Sequence, residues 1–199
     1  MSNDLLWLAA RATGSASLVA LTLSVLSGSA LRGRSLSWLS TNRLLTQLHT
    51  FTTWLWLPLA AAHVVALIAD PVAKIDGLDL LVPFRVTYGW FAIGLGTVAL
   101  QLLAIVLLST WLRRSLLHAH WIAFHRLSYA AFALTIGHSL LAGTDFSQPL
   151  LQDAAWATAM LVGLVVLGRI IRSQPALPRP IAEPRPGDLE RALPAERAR

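Results

Sequence analysis

Along most of this chain the apolar residues run on without the polar alternation of a soluble amphipathic element. Five such runs stand out, at about 5–31, 44–69, 86–112, 116–142 and 154–171. Each has the length of a membrane-crossing helix, roughly 17–25 residues or slightly more for a tilted span. The chain therefore reads as an all-α integral membrane protein, a bundle of five transmembrane helices forming one domain over residues 1–172. The first and fifth runs hold Arg11 and Arg169 near an end, where a long arginine reaches the headgroups. From Ser173 onward prolines and arginines replace the apolar residues, so 173–199 reads as a disordered cytoplasmic tail.

Composition strengthens this reading. Of 199 residues, 55% are hydrophobic and only 13% charged, and the mean hydropathy is +0.60. A soluble domain of average composition carries about twice that share of charge. The net charge is +6, with seven of the sixteen basic residues after position 168. Basic residues gathered beside apolar runs report topology, and they lack the aromatic interleaving of a nucleic-acid surface. The connecting segments alternate. Arg32, Arg34 and Arg43 follow the first run, and Asp70, Asp76 and Asp79 with Lys74 and Arg85 follow the second. Arg113 and Arg114 follow the third, Asp145 and Asp153 the fourth, and an arginine-rich tail the fifth. The positive-inside rule then predicts a plasma-membrane protein with its N-terminus outside and its tail in the cytoplasm. Trp7, Trp38, Trp90, Trp111, Trp121 and Trp156 fall near the predicted span ends, as interfacial anchors do. A cleavable leader ending near Ser27-Gly28-Ser29-Ala30 is the alternative for the first run. Its start has Asp4 and no early basic residue, and basic residues follow it, which is the pattern of a retained helix.

The chemistry lies in four histidines. His49 and His63 are 14 residues apart in the second run, and His125 and His138 are 13 apart in the fourth. At 1.5 Å rise per residue each pair spans roughly 20 Å. The second and fourth helices run in the same direction, so His49 pairs with His125 at one depth and His63 with His138 at another. An ionisable side chain at membrane depth is costly and points to function. Two facing imidazoles are the axial ligands of a b-type haem, and this chain supplies the set twice. There is no cysteine, which excludes c-type haem attachment, thiolate zinc and cysteine-ligated iron–sulfur clusters. Any haem is held non-covalently. Fourteen residues return a side chain to within roughly 40° of the same face, whereas thirteen leave it about 140° away. A helix twist, a local irregularity near Gly137 or haems rotated about the membrane normal would absorb the difference.

Haem propionates need cationic partners at the membrane faces. By depth, Arg43 and Arg126 suit the inner haem, and Arg11 and Arg85 the outer one. Trp56 lies midway between His49 and His63, and Phe132 close to midway between His125 and His138, so either ring can sit between stacked haems or serve as helix packing. His118 and His120, at the start of the fourth run, read as interfacial residues.

These residues resemble the ferric-reductase-like transmembrane domain family, shared by iron reductases, NADPH oxidases and a methionine-sulfoxide-reductase haem subunit. The resemblance covers about residues 8–145. It rests on Arg11-Ala12-Thr13-Gly14, on Leu48-His49 with His63, and on Trp121-x-x-x-His125-Arg126-Leu127-x-Tyr129 with His138. It implies two stacked b haems ligated by His49, His63, His125 and His138 that carry electrons across the bilayer. The chain departs from the family in having Thr50 where members often carry arginine. It also shows no GxGxxG or Walker sequence, and no flavin or nicotinamide domain follows the spans.

The expectation is transmembrane electron transfer through two bis-histidine b haems, from a cytoplasmic donor to an outer acceptor. The chain would be an oxidoreductase membrane subunit fed by a separate flavoprotein reductase or by quinol. With both axial positions filled, the acceptor takes electrons at the haem edge. Two rivals stand beside this. One is a quinol-fed haem subunit of a periplasmic reductase. The other is a small non-redox transporter that relays protons through its histidines.

Overall fold

The computed structural model describes residues 2–32, 42–143, 145 and 148–172. Among them are five α-helices and no strand: α1 (Ser2–Arg32), α2 (Asn42–Ala69), α3 (Trp90–Trp111), α4 (His118–Ala142) and α5 (Pro149–Arg172). Four of these, α1, α2, α3 and α5, are long and apolar enough to cross a membrane, as in a multi-pass membrane protein. The fourth helix is long enough but not among the four. Its His118, His120, His125, Arg126 and His138 lower its hydropathy. The proposed tail, residues 173–199, lies outside the described residues, as do Arg34 and Trp38.

Two boundaries differ from the sequence expectation, each for a local reason. The third helix starts at Trp90 rather than near residue 86, because Gly89 precedes it with φ 54°. That left-handed conformation favours glycine and separates the helix from the preceding loop. The fifth starts at Pro149 rather than near 154. Proline suits a first helical turn, where its missing N–H has no intrahelical partner to lose.

The helices pack as two antiparallel hairpins, α1 on α2 and α3 on α4, with α5 touching α1 and α4. A seam of small residues explains the first hairpin. Ala10, Ser17, Ala20, Ser24 and Ser27 are all buried, at successive intervals of seven, three, four and three residues along α1. Small side chains let two backbones approach, which drives helix association where water cannot. Leu18, Leu21 and Val25 of α1 then meet Trp56 of α2, Leu103 of α3, Ala131, Phe132 and Ile136 of α4, and Val162 of α5 in one core cluster. This cluster lies at mid-bundle, so Trp56 and Phe132 share one core rather than lying on separate surfaces. Pro58 sits inside α2 and removes one helical hydrogen bond between the two α2 histidines.

The α2–α3 connection is structured. A single 3-10 turn, Gly77–Leu80, is capped by Asp76, whose carboxylate accepts from the Leu78 and Asp79 amides. Arg85 donates to both Asp76 and Asp79. The loop is tied to α3 by Thr97 Oγ1, which donates to the Asp79 carbonyl, and by Gln101, which donates to the Leu80 and Leu81 carbonyls. Phe84 stacks on Phe91 at 6.3 Å and meets Trp90 edge-on at 5.9 Å. Its ring covers Gly94, where a Cβ would collide with it. That seat explains how Phe84 holds a φ of 65°, which costs a bulky residue.

Candidate functional site

The four histidines come together as two pairs. The His49 and His125 ring centroids are 6.3 Å apart with planes at 75°, and those of His63 and His138 are 6.4 Å apart, also at 75°. These are the pairings that the helix directions predict. The first pair lies toward the Arg113 end of the bundle and the second toward the Asp145 end. The two helices that carry them make no extensive backbone contact with each other.

The spacing fits a metal between two imidazoles. A metal–nitrogen bond of about 2.0 Å on each side, plus about 1.1 Å from each nitrogen to its ring centroid, gives roughly 6.2 Å. Among the described residues no group of three or more histidine, cysteine, aspartate or glutamate side chains is placed to hold a metal ion. Two protein ligands per site are too few for a structural zinc. They suit a metal whose remaining ligands come with a macrocycle.

The tautomer is fixed for three of the four rings. His63 Nδ1 lies 2.7 Å from the Ala10 carbonyl, His49 Nδ1 2.8 Å from the Ser24 carbonyl and His138 Nδ1 2.8 Å from the Ala92 carbonyl. A carbonyl only accepts, so each Nδ1 carries the proton and donates it. Each Nε2 therefore keeps the lone pair that a metal needs.

One local device places these three rings. Each lies against a glycine four residues beyond the carbonyl it bonds. A Cβ at Gly14 would stand 2.8 Å from His63 Nδ1, one at Gly28 2.9 Å from His49 Cε1, and one at Gly96 2.7 Å from His138 Nδ1. The missing side chain opens a notch on the helix, and the exposed carbonyl one turn back anchors the ring. His125 is held by another contact, stacking on Trp121 at 5.4 Å and 29°. Trp121 is in turn 5.6 Å from the His118 ring. Helix α4 runs unbroken through Gly137. Both of its histidines nevertheless meet rings of α2.

The expected propionate partners are distributed unevenly. Arg43 and Arg126 are exposed toward the Arg113 end. Arg11 is half-buried and engaged, its Nε donating to Asp145 Oδ2 at 2.9 Å, a second nitrogen closing the ion pair, and its guanidinium 4.1 Å over Trp7. Arg85 is held by the loop carboxylates. Sequence reasoning missed the three glycines, Ser24 and Asp145. One signal was present for the first two glycines. Gly14 and Gly28 are 14 residues apart, the spacing of His49 and His63.

At the Arg113 end a half-open cavity of about 350 Å³ is lined by Arg113, Arg114, Leu116, His118 and Trp121. It carries two guanidinium groups and no acidic side chain. No protein-family model matches this chain, and no curated protein or solved structure matches it either.

Proposed function

We propose that this protein moves electrons across a membrane through two b-type haems, held by His49 with His125 and by His63 with His138. The observation that carries the reading is the pair of matched ring separations, 6.3 and 6.4 Å, at two levels of one bundle. When bound, each haem supplies a one-electron carrier.

The chain's own residues do the rest. The Ala10, Ser24 and Ala92 carbonyls hold three imidazoles by Nδ1 and leave Nε2 unprotonated. The central cluster around Trp56 and Phe132 fills the bundle between the two levels and excludes water. Arg43 and Arg126 are exposed cations that suit propionates at the Arg113 end. At the other end Arg11 is shared with Asp145. A proton relay fits less well, because these imidazoles spend Nδ1 on backbone and face each other across a gap too wide for a direct hydrogen bond.

Orientation follows the charges, with the Arg113 end in the cytoplasm and the Asp145 end outside. All five helices cross the membrane in this reading. The polar residues of α4 are then accounted for as haem ligands and interface groups. The cationic cavity beside Trp121 is the face offered to the donor, a flavoprotein reductase or a quinol. The resemblance to the ferric-reductase-like transmembrane domain agrees with this arrangement.

The test is a reduced-minus-oxidised absorption spectrum with a haem-to-protein ratio. Two low-spin six-coordinate haems per chain are expected. A colourless preparation from haem-replete cells overturns the proposal.

A further inference from the structure

The two ends of the bundle differ in what surrounds the donating Nδ1. At the Asp145 end, His63 and His138 each meet one carbonyl oxygen. At the Arg113 end, His49 Nδ1 meets two oxygens of one residue. It is 2.8 Å from the Ser24 carbonyl and 3.2 Å from the Ser24 hydroxyl.

The hydroxyl protons can be assigned by elimination. Thr53 Oγ1 lies 2.7 Å from the His49 carbonyl, which only accepts, so Thr53 donates its single proton there. Ser24 Oγ is 2.8 Å from Thr53 Oγ1. Thr53 has no second proton, so Ser24 donates to it. The Ser24 oxygen is left with lone pairs facing His49 Nδ1–H. A hydroxyl that is itself donating is polarised into a better acceptor. Ser24 is buried, so water does not compete for this contact.

We infer that Ser24 is a positioning residue that holds down the reduction potential of the haem ligated by His49 and His125. A stronger bond from Nδ1 gives the imidazole more anionic character and makes it a better donor to iron. That favours the ferric state. A lowered potential at the cytoplasmic level makes transfer toward the Asp145 end more favourable. This inference rests on the haem reading above, and its test separates the two.

The experiment is a spectropotentiometric titration of the haem-loaded full chain, with His138→Ala as the background that isolates the pair at the Arg113 end. Ser24→Ala should raise the ferrous-to-ferric ratio of that haem about threefold at the wild-type midpoint. At 59 mV per tenfold for one electron this is an upward shift of about 28 mV. In the otherwise native chain the other haem should keep its midpoint. Ser24→Thr, which restores a hydroxyl, should return the wild-type value. Thr53→Val, which removes the proton acceptor of Ser24, should shift the midpoint in the same direction by less. An unmoved or lowered midpoint in Ser24→Ala overturns the inference, as does an equal shift of both haems. Should Ser24→Ala not fold, an unmoved Thr53→Val midpoint overturns it instead. Absence of haem from the wild-type chain would defeat the haem reading itself.

Discussion

At the Asp145 end the two histidines are held alike. His63 bonds the Ala10 carbonyl in the notch of Gly14, and His138 bonds the Ala92 carbonyl in the notch of Gly96. At the Arg113 end they are held differently. His49 has the Gly28 notch and a serine–threonine pair behind it, whereas His125 has the Trp121 face. The two hairpins thus behave as copies at one end and diverge at the other. Where α1 has Gly28 fourteen residues beyond Gly14, α3 has the buried Ser109 thirteen residues beyond Gly96. A notch with a free carbonyl is a general way to hold an imidazole. Replacing it at one position is how an otherwise repeated scaffold gains two unequal sites.

The largest break in this comparison is removal of one proposed haem ligand. His138→Ala should take the haem content from two per chain to about one, with the remaining spectrum belonging to the His49–His125 pair. His125→Ala should leave the complementary spectrum. Loss of both haems from either variant would show that the pairs are not independent.

A smaller break comes from filling the notches. Gly14→Ala and Gly96→Ala place a Cβ 2.8 and 2.7 Å from a histidine Nδ1. The ring or the helix must shift, at a cost typical of overpacking, about 1–3 kcal/mol. The measurement is the thermal midpoint together with haem occupancy at the Asp145 end. Gly163→Ala in α5 is the contrast. Nothing lies within 4 Å of its new Cβ, and replacing a helical glycine should gain about 0.5–1 kcal/mol. Equal effects at all three positions would remove the notch from the account.

The smallest effect concerns the loop beside the Asp145-end pair. The Arg85 hydrogen bond holds the Asp76 carboxyl below its usual range. A depressed folded-state pKa contributes stability above the unfolded value, about 4, that is lost as pH falls through the folded value. The protection factors of the Leu78 and Asp79 amides, which donate to Asp76, should be high above that range and fall on acidification. Arg85→Gln should move that fall to higher pH. Protection unchanged by either treatment would detach Asp76 from the loop's order.

Much of the fold was legible because long apolar runs permit few structures. A long apolar run satisfies its backbone groups most simply within its own helix, and the five runs became five helices with most ends within a few residues. The Gly89 and Pro149 boundaries moved because φ at one glycine and the missing N–H of one proline override hydropathy. The ring pairs were legible because spacing and helix direction fix depth. Azimuth was not, since thirteen residues at about 100° each do not return a ring to the same face of an ideal helix. The partner of Arg11 was hidden for a similar reason, Asp145 being 134 residues away in sequence.

What the sequence determined by itself is the set of helices, the two depths at which histidines sit and the absence of thiol chemistry. These follow from hydrophobicity, from the fixed rise of a helix and from the composition. Which carbonyl fixes the tautomer of three rings, which glycine admits each of those three, and why His49 meets a hydroxyl were decided only by the tertiary structure. Those contacts depend on how closely α1 approaches α2 and α3 approaches α4, and on the rotation of each about its axis. Both are set by the fit of small residues against a neighbouring helix, which the order of residues within one helix does not specify.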